Sequence, residues 1–157
     1  MSDMARRLFL ATALSLTAAC CAGESTRDLD PETLSWVDYT HSRAGYSLSL
    51  PTALRPDEEG DSVFLRYNCR VPVLVRLTTE EDGRRNGAWF GHQAAGAITL
   101  DGMAGEKYTY VHWDGPFATH TIAYVVPVGD RFLGLEFRTA TDLDPVQEKI
   151  LASFRLP

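Results

Sequence analysis

His112, Asp114 and His120 flank one turn of this 157-residue chain, and two imidazoles facing each other across a hairpin stand close enough to share a metal ion. His112 and His120 are therefore the candidate metal ligands, set against the plainer reading of solvated residues at a strand end. Asp57-Glu58-Glu59-Gly60-Asp61 offers carboxylates that calcium would accept, although the spacing is not that of an EF-hand loop and charge runs are most often solvated. Trp89, Phe90, His92 and Trp113 form the candidate partner or ligand face, with Tyr108 and Tyr110 nearby. Aromatic side chains are over-represented where partners dock, but on strands they also fill cores.

Nucleophilic catalysis finds no support in the sequence. There is no Gly-x-Ser-x-Gly turn, and histidines without a placed serine or cysteine make no triad. Gly102-Met103-Ala104-Gly105 lacks the lysine and the strand-to-helix context of a phosphate loop. The expectation is a chain that is not an enzyme and carries no cofactor.

The start of the chain speaks of location. Arg6-Arg7 precedes the uncharged run Leu8–Thr17, and small residues lead into Cys20. This is the order of an export signal, and the run is too short to cross a bilayer core that needs about 20 residues. Thr17-Ala18-Ala19-Cys20 resembles the lipobox of bacterial lipoproteins. That resemblance implies a signal peptide over 1–19, a lipid on Cys20, and a protein of the cell envelope held to the membrane by its anchor. Cleavage after Ala19 or Ala22 by an ordinary signal peptidase, giving a secreted or periplasmic protein, is the alternative.

Cleavage before Cys20 leaves 13 basic and 20 acidic residues, a net charge of −7. An acidic domain with no Lys/Arg run is a poor ligand for nucleic acid, because phosphate contacts need clustered positive charge. Residues 20–34 are polar and read as a tether, leaving one globular domain over 35–157. Cys69, flanked by apolar strands, reads as a small buried hydrophobe; a Cys21–Cys69 disulfide in an oxidising envelope is the alternative.

The elements follow from periodicity. Trp36–Thr40 and Tyr46–Leu50 flank a turn at Gly45 and predict a hairpin; a loop over Arg55–Asp61 leads to strands at Ser62–Tyr67 and Val71–Thr78. A short helix is predicted over Trp89–Ala95, limited by Gly91 and Gly96. Ala97–Leu100, Glu106–Trp113, Phe117–Pro127 and Arg131–Arg138 then form an antiparallel meander linked by turns at Asp101-Gly102, Asp114-Gly115-Pro116 and Gly129-Asp130. Asp144 as N-cap, Pro145 in first position and Gln147 in the capping box define a helix over Pro145–Ser153. Its Val146, Ile150 and Leu151 make a stripe for the sheet.

Gly45-Tyr46-Ser47-Leu48-Ser49-Leu50-Pro51 opens the domain, Asp101-Gly102 ends an internal strand, and Ile150-Leu151-Ala152-Ser153-Phe154-Arg155 closes it. This order resembles the PsbP-like and Mog-like superfamily, including bacterial envelope lipoproteins related to DcrB. Thr52-Ala53-Leu54 stands where many members carry a tryptophan soon after the proline. The resemblance implies an α+β fold, a curved antiparallel sheet with helices packed on it. It also implies a non-catalytic role in binding an envelope protein partner or supporting assembly. The competing expectation is a small-ligand or metal-binding lipoprotein using a cleft between the sheet and Glu80–Gly96.

Overall fold

The computed structural model describes the backbone of residues 26–114, 117–139 and 141–157, and the side chains of these residues apart from 112–114 and 117. The leader, Cys20 and Cys21 lie outside the described residues. A seven-stranded antiparallel sheet has the order β3-β4-β5-β9-β8-β7-β6. Its strands are β3 (Arg55–Glu59), β4 (Ser62–Tyr67), β5 (Arg70–Thr78), β6 (Ala94–Leu100), β7 (Met103–Asp114), β8 (Phe117–Val128) and β9 (Arg131–Thr139). A separate hairpin pairs β1 (Trp36–Thr40) with β2 (Ser47–Pro51). Among the described residues two α-helices, α1 (Glu80–Arg85) and α2 (Pro145–Ser153), complete the α+β fold.

The main core lies on one face, where alternation sorts the side chains. Val73, Val75 and Leu77 of β5 and Leu133, Leu135 and Phe137 of β9 point the same way and meet Val146, Ile150 and Phe154 from α2 and the segment after it. Tyr46, Leu48 and Leu50 add the hairpin to this layer. α2 occupies the predicted residues because its caps work: Asp144 accepts from the Gln147 N–H at 2.9 Å, and the Gln147 side chain accepts from the Asp144 N–H at 3.2 Å. Ser153 ties its far end to β2, its hydroxyl accepting from Ser49 N at 2.9 Å.

Three expectations change. Residues 26–34, assigned by composition to a tether, pack on the domain. Thr26 is buried and donates to Asp144 Oδ2 at 2.6 Å, Leu29 and Leu34 touch the core, and Trp36 Nε1 donates to the Pro31 carbonyl at 2.9 Å. The helix of the 80–96 region lies at Glu80–Arg85, not Trp89–Ala95. Thr79 caps it, acids fill its first turn and arginines its last, which matches the helix dipole. Trp89–Gly91 forms only a single 3₁₀ turn before β6 begins. The acidic run, finally, is strand β3 and its turn, not a loop. β3 is an edge strand, which tolerates both Pro56 and solvent-facing charge.

Pairing also accounts for the carboxylates that calcium could have accepted. Asp57 meets Arg66 at 2.8 Å, and Asp61 meets Arg131 at 2.7 Å and Arg43 at 3.5 Å. Glu58 accepts from the Ser42 hydroxyl at 2.5 Å and the Tyr39 hydroxyl at 2.6 Å. These bonds, Ser42 first, hold its carboxyl down at about 2. Because the folded value lies below the ordinary one, the stabilising contribution of Glu58 is complete above the usual carboxylate range and is lost as pH falls towards about 2. Carboxyl NMR titration is expected to place the Glu58 midpoint at about 2, rising towards the ordinary 4.5 in Ser42→Ala; a wild-type midpoint near 4.5 would refute the assignment.

Candidate functional site

The second face of the sheet carries the aromatic set. Trp89 is fully buried against this face, and a Cβ added at Gly134 would lie 2.2 Å from its ring, so the indole lies directly on the backbone of β9. Phe90 bridges outwards, 5.3 Å from Trp89 and edge-on to Phe132 at 5.2 Å. It sits so close to α1 that a Cβ at Gly83 would meet it at 2.2 Å. His92 is exposed and stacks on Tyr110 at 4.3 Å between ring centroids. Trp89 therefore fills the space in which a ligand cleft under Glu80–Gly96 was expected.

Beneath His92 runs a polar row that the sequence reading passed over. The Tyr110 hydroxyl donates to Glu136 Oε2 at 3.1 Å, and Arg76 Nε lies 3.0 Å from Glu136 Oε1. Burial raises the Glu136 carboxyl, against the pull of Arg76, and burial likewise raises the Tyr110 phenol. The signal was there in sequence. Arg76 stands between Val75 and Leu77, and Glu136 stands between Leu135 and Phe137. A charge at alternate positions of an apolar strand marks the face opposite the main core.

The remaining candidates do not join this set. The β7–β8 register pairs His112 with Thr119 and His120 with Val111, so the two histidines are not cross-strand partners. The reason is that Asp114 pairs with Phe117, which puts the hairpin's symmetry point between residues 115 and 116 and not at Pro116. His120 is exposed; the side chains of His112 and Trp113 lie outside the described residues. Trp113 pairs with Ala118 at an odd-numbered position of β7, whereas Tyr108 and Tyr110 occupy even-numbered ones. Among the described residues no three His, Cys, Asp or Glu side chains converge as metal ligands.

The concave surface lies on the first face, between α2 and the outer strands. Two adjoining hollows of about 410 and 440 Å³ share Tyr124, Leu151 and Ala152 as their floor and wall. Ile98 and the Asp101–Arg155 pair (3.8 Å) close one end; Lys107 and Glu148 stand at the other. β6 borders this groove and is the last strand of the sheet. Its sequence Ala94-Ala95-Gly96-Ala97-Ile98-Thr99-Leu100 has no charge and no proline, and residues 94–97 are exposed.

No family model matches the chain, and no curated protein matches it. Among solved structures, the cyanobacterial PsbP (CyanoP) from Synechocystis superposes with a TM-score of 0.50 at 17% identity, over 87% of this chain and 99% of that one. The fold is PsbP-like. A protein from Bacteroides thetaiotaomicron shares the PsbP-like architecture of this chain with a TM-score of 0.51 at 10% identity, over 76% of this chain and 48% of that one. The PsbP-like sheet here thus presents one closed face, where Trp89 and the Glu136 row are sealed under residues 80–92, and one open flank along α2 and β6.

Proposed function

We propose that this chain is a lipid-anchored protein of the cell envelope, in the lipoprotein branch related to DcrB, that works as a non-catalytic docking or assembly module for a protein partner. The anchor is the lipid on Cys20, supported by the leader sequence. The docking element is the β6 edge together with the groove beside α2. The observation that carries this reading is the contrast between the two sheet edges. β3 is blunted by Pro56 and by Arg55, Asp57, Glu58 and Glu59, whereas β6 has neither proline nor charge, and its bulge at Ala94–Gly96 leaves Ala97–Leu100 in regular register. Proteins guard edges that must stay unpaired, so an edge left bare suits the addition of an extended segment. Alternate side chains of that segment would then reach Ile98, Tyr124 and Leu151 in the groove.

A photo-cross-linking residue at Thr99 is expected to give a protein adduct in intact envelopes, while one at Asp57 on the opposite edge gives none. Ala97→Lys, which places a guarding charge on the bare edge, is expected to abolish the adduct and leave the melting temperature of the purified protein unchanged. Equal labelling at both positions, or an adduct indifferent to the lysine, would refute the docking assignment.

A further inference from the structure

Asn86-Gly87 closes α1 and leads into the Trp89 turn that seals the second face of the sheet. We propose that this dipeptide is a self-modification site, at which the Asn86 side chain loses ammonia to attack by the Gly87 nitrogen and the resulting isoaspartate loosens that seal. Water is the only co-reactant.

Three features of the site favour this chemistry. Asn86 and Gly87 are both exposed, so water reaches the side-chain amide and the product. Gly87 has a φ of 67° with nothing within 4 Å of where a Cβ would stand, so no side chain hinders the approach of its nitrogen. Among the described residues its N–H serves no hydrogen bond, whereas its neighbours are engaged. The Asn86 N–H donates to the Asp82 carbonyl at 2.9 Å, and the Ala88 N–H to the Gly83 carbonyl at 2.8 Å. Comparable positions lack one of these features. Asn68, the second asparagine of the chain, precedes Cys69, whose side chain crowds the attacking nitrogen. After Asp82, the Gly83 N–H is held by the Thr79 carbonyl at 2.9 Å. Before Gly102, the Asp101 carboxylate is held by the Leu156 N–H at 2.8 Å.

The Gly87 nitrogen gives up its proton and bonds to the side-chain carbonyl carbon of Asn86. The bond from that carbon to the side-chain nitrogen breaks, and ammonia leaves with the proton. Water then adds to either carbonyl of the cyclic imide, leaving aspartate or isoaspartate at position 86. Ring closure needs Cβ and the Gly87 nitrogen on the same side of the Cα–C bond, which the present ψ of 15° does not allow, so the end of α1 must open first. A six-residue helix has little stability of its own, and its opening sets the pace.

The products act on the seal. A carboxylate at position 86 lies at the negative end of the α1 dipole. It also stands on the residue whose carbonyl receives Arg76 Nη1 at 3.4 Å, and so competes with Glu136 for that guanidinium. Isoaspartate further inserts a methylene into the backbone, inside the turn that the Ala88–Gly83 hydrogen bond closes and just before Trp89 settles on Gly134.

The purified full chain is kept at mildly alkaline pH, folded and in denaturant, then digested in mild acid and analysed by mass spectrometry. The peptide carrying residue 86 of the folded chain is expected to divide into aspartate and isoaspartate forms, more slowly than in denaturant, while Asn68 keeps its amide. Thr79→Ala, which removes the N-cap of α1, should speed the conversion about fivefold, the gain in opening that loss of a cap permits. Converted protein should be cut severalfold faster by chymotrypsin within 79–92 than fresh protein. Asn86→Gln, kept in the same way, should show neither conversion nor faster cutting. Asn86→Asp, with the charge on an ordinary backbone, should lie between the two. An amide still intact in the folded chain after the denatured chain has converted would overturn the site. Conversion with unchanged cutting would overturn the loosening, and a rate indifferent to Thr79→Ala would overturn the control by α1.

Discussion

Trp89→Ala is expected to destabilise the domain by about 3–5 kcal/mol, the usual loss when a large aromatic is cut from a core. Trp89 is completely buried and lies on Gly134, a position where any side chain would collide with the indole. It is also the inner member of a short stack in which Phe90 and Phe132 follow outwards. Without it, the capped but short α1 has lost its main attachment, because a six-residue helix has little stability of its own. Denaturant unfolding should show the loss, and limited proteolysis should cut first within 79–92. Trp89→Phe should be much milder. It keeps the ring contact and removes Trp89 Nε1, a buried N–H with no hydrogen-bond partner, whose burial is itself unfavourable. A loss below about 1 kcal/mol for alanine, with no new cleavage, would show that the second face does not depend on this residue.

Glu136→Ala is expected to destabilise the domain by about 1–3 kcal/mol, chiefly because a buried hydroxyl loses its acceptor. The substitution leaves Arg76 half-sheltered without its counter-charge and the buried Tyr110 hydroxyl without its acceptor. Removing the charges together should be far gentler, since a buried pair replaced by apolar residues of similar volume is often close to neutral. Arg76→Met with Glu136→Leu is therefore expected to recover most of the stability lost by Glu136→Ala alone. The pH dependence has a definite sign. Burial raises the folded-state carboxyl above its ordinary value, so the contribution of Glu136 is full below the unfolded-state value and is lost as pH rises through the folded one. Unfolding free energy measured across that interval should decline in the wild type, and the decline should vanish in Glu136→Gln. Persistence of the slope in that variant would assign it to another group.

These two residues also explain why the aromatic set is a poor docking face. A partner needs side chains that water can reach, and Trp89 offers none of its surface. Of the described side chains in that set, His92 is well exposed, and it is engaged in covering Tyr110. The open flank beside α2, with the bare β6 edge, is the better match to a binding role.

Local chemistry determined much of this molecule. The helix Pro145–Ser153 was legible residue by residue, because its N-cap, its proline and its capping box act within four residues of one another. The meander was legible because an antiparallel sheet repeats every two residues, and the turns after Leu100 and Val128 are marked by Gly102 and Gly129 with φ of 81° and 63°. Tertiary structure decided the rest. Whether Arg55–Glu59 is loop or strand depends on a neighbour, β4, that no local pattern specifies. Whether an aromatic is core or surface depends on what lies above it, and Trp89 became core only because Gly134 and Gly83 left room for it and for Phe90. The expectation of a buried apolar Cys69 is corrected in the same way: it is exposed at the β4–β5 turn and disulfide-bonded, since burial is a property of the folded surroundings and not of adjacent side chains. The same holds for residues 26–34. Their composition is that of a tether, and a single hydrogen bond to the cap of a helix 118 positions away, with the packing it brings, makes them part of the domain.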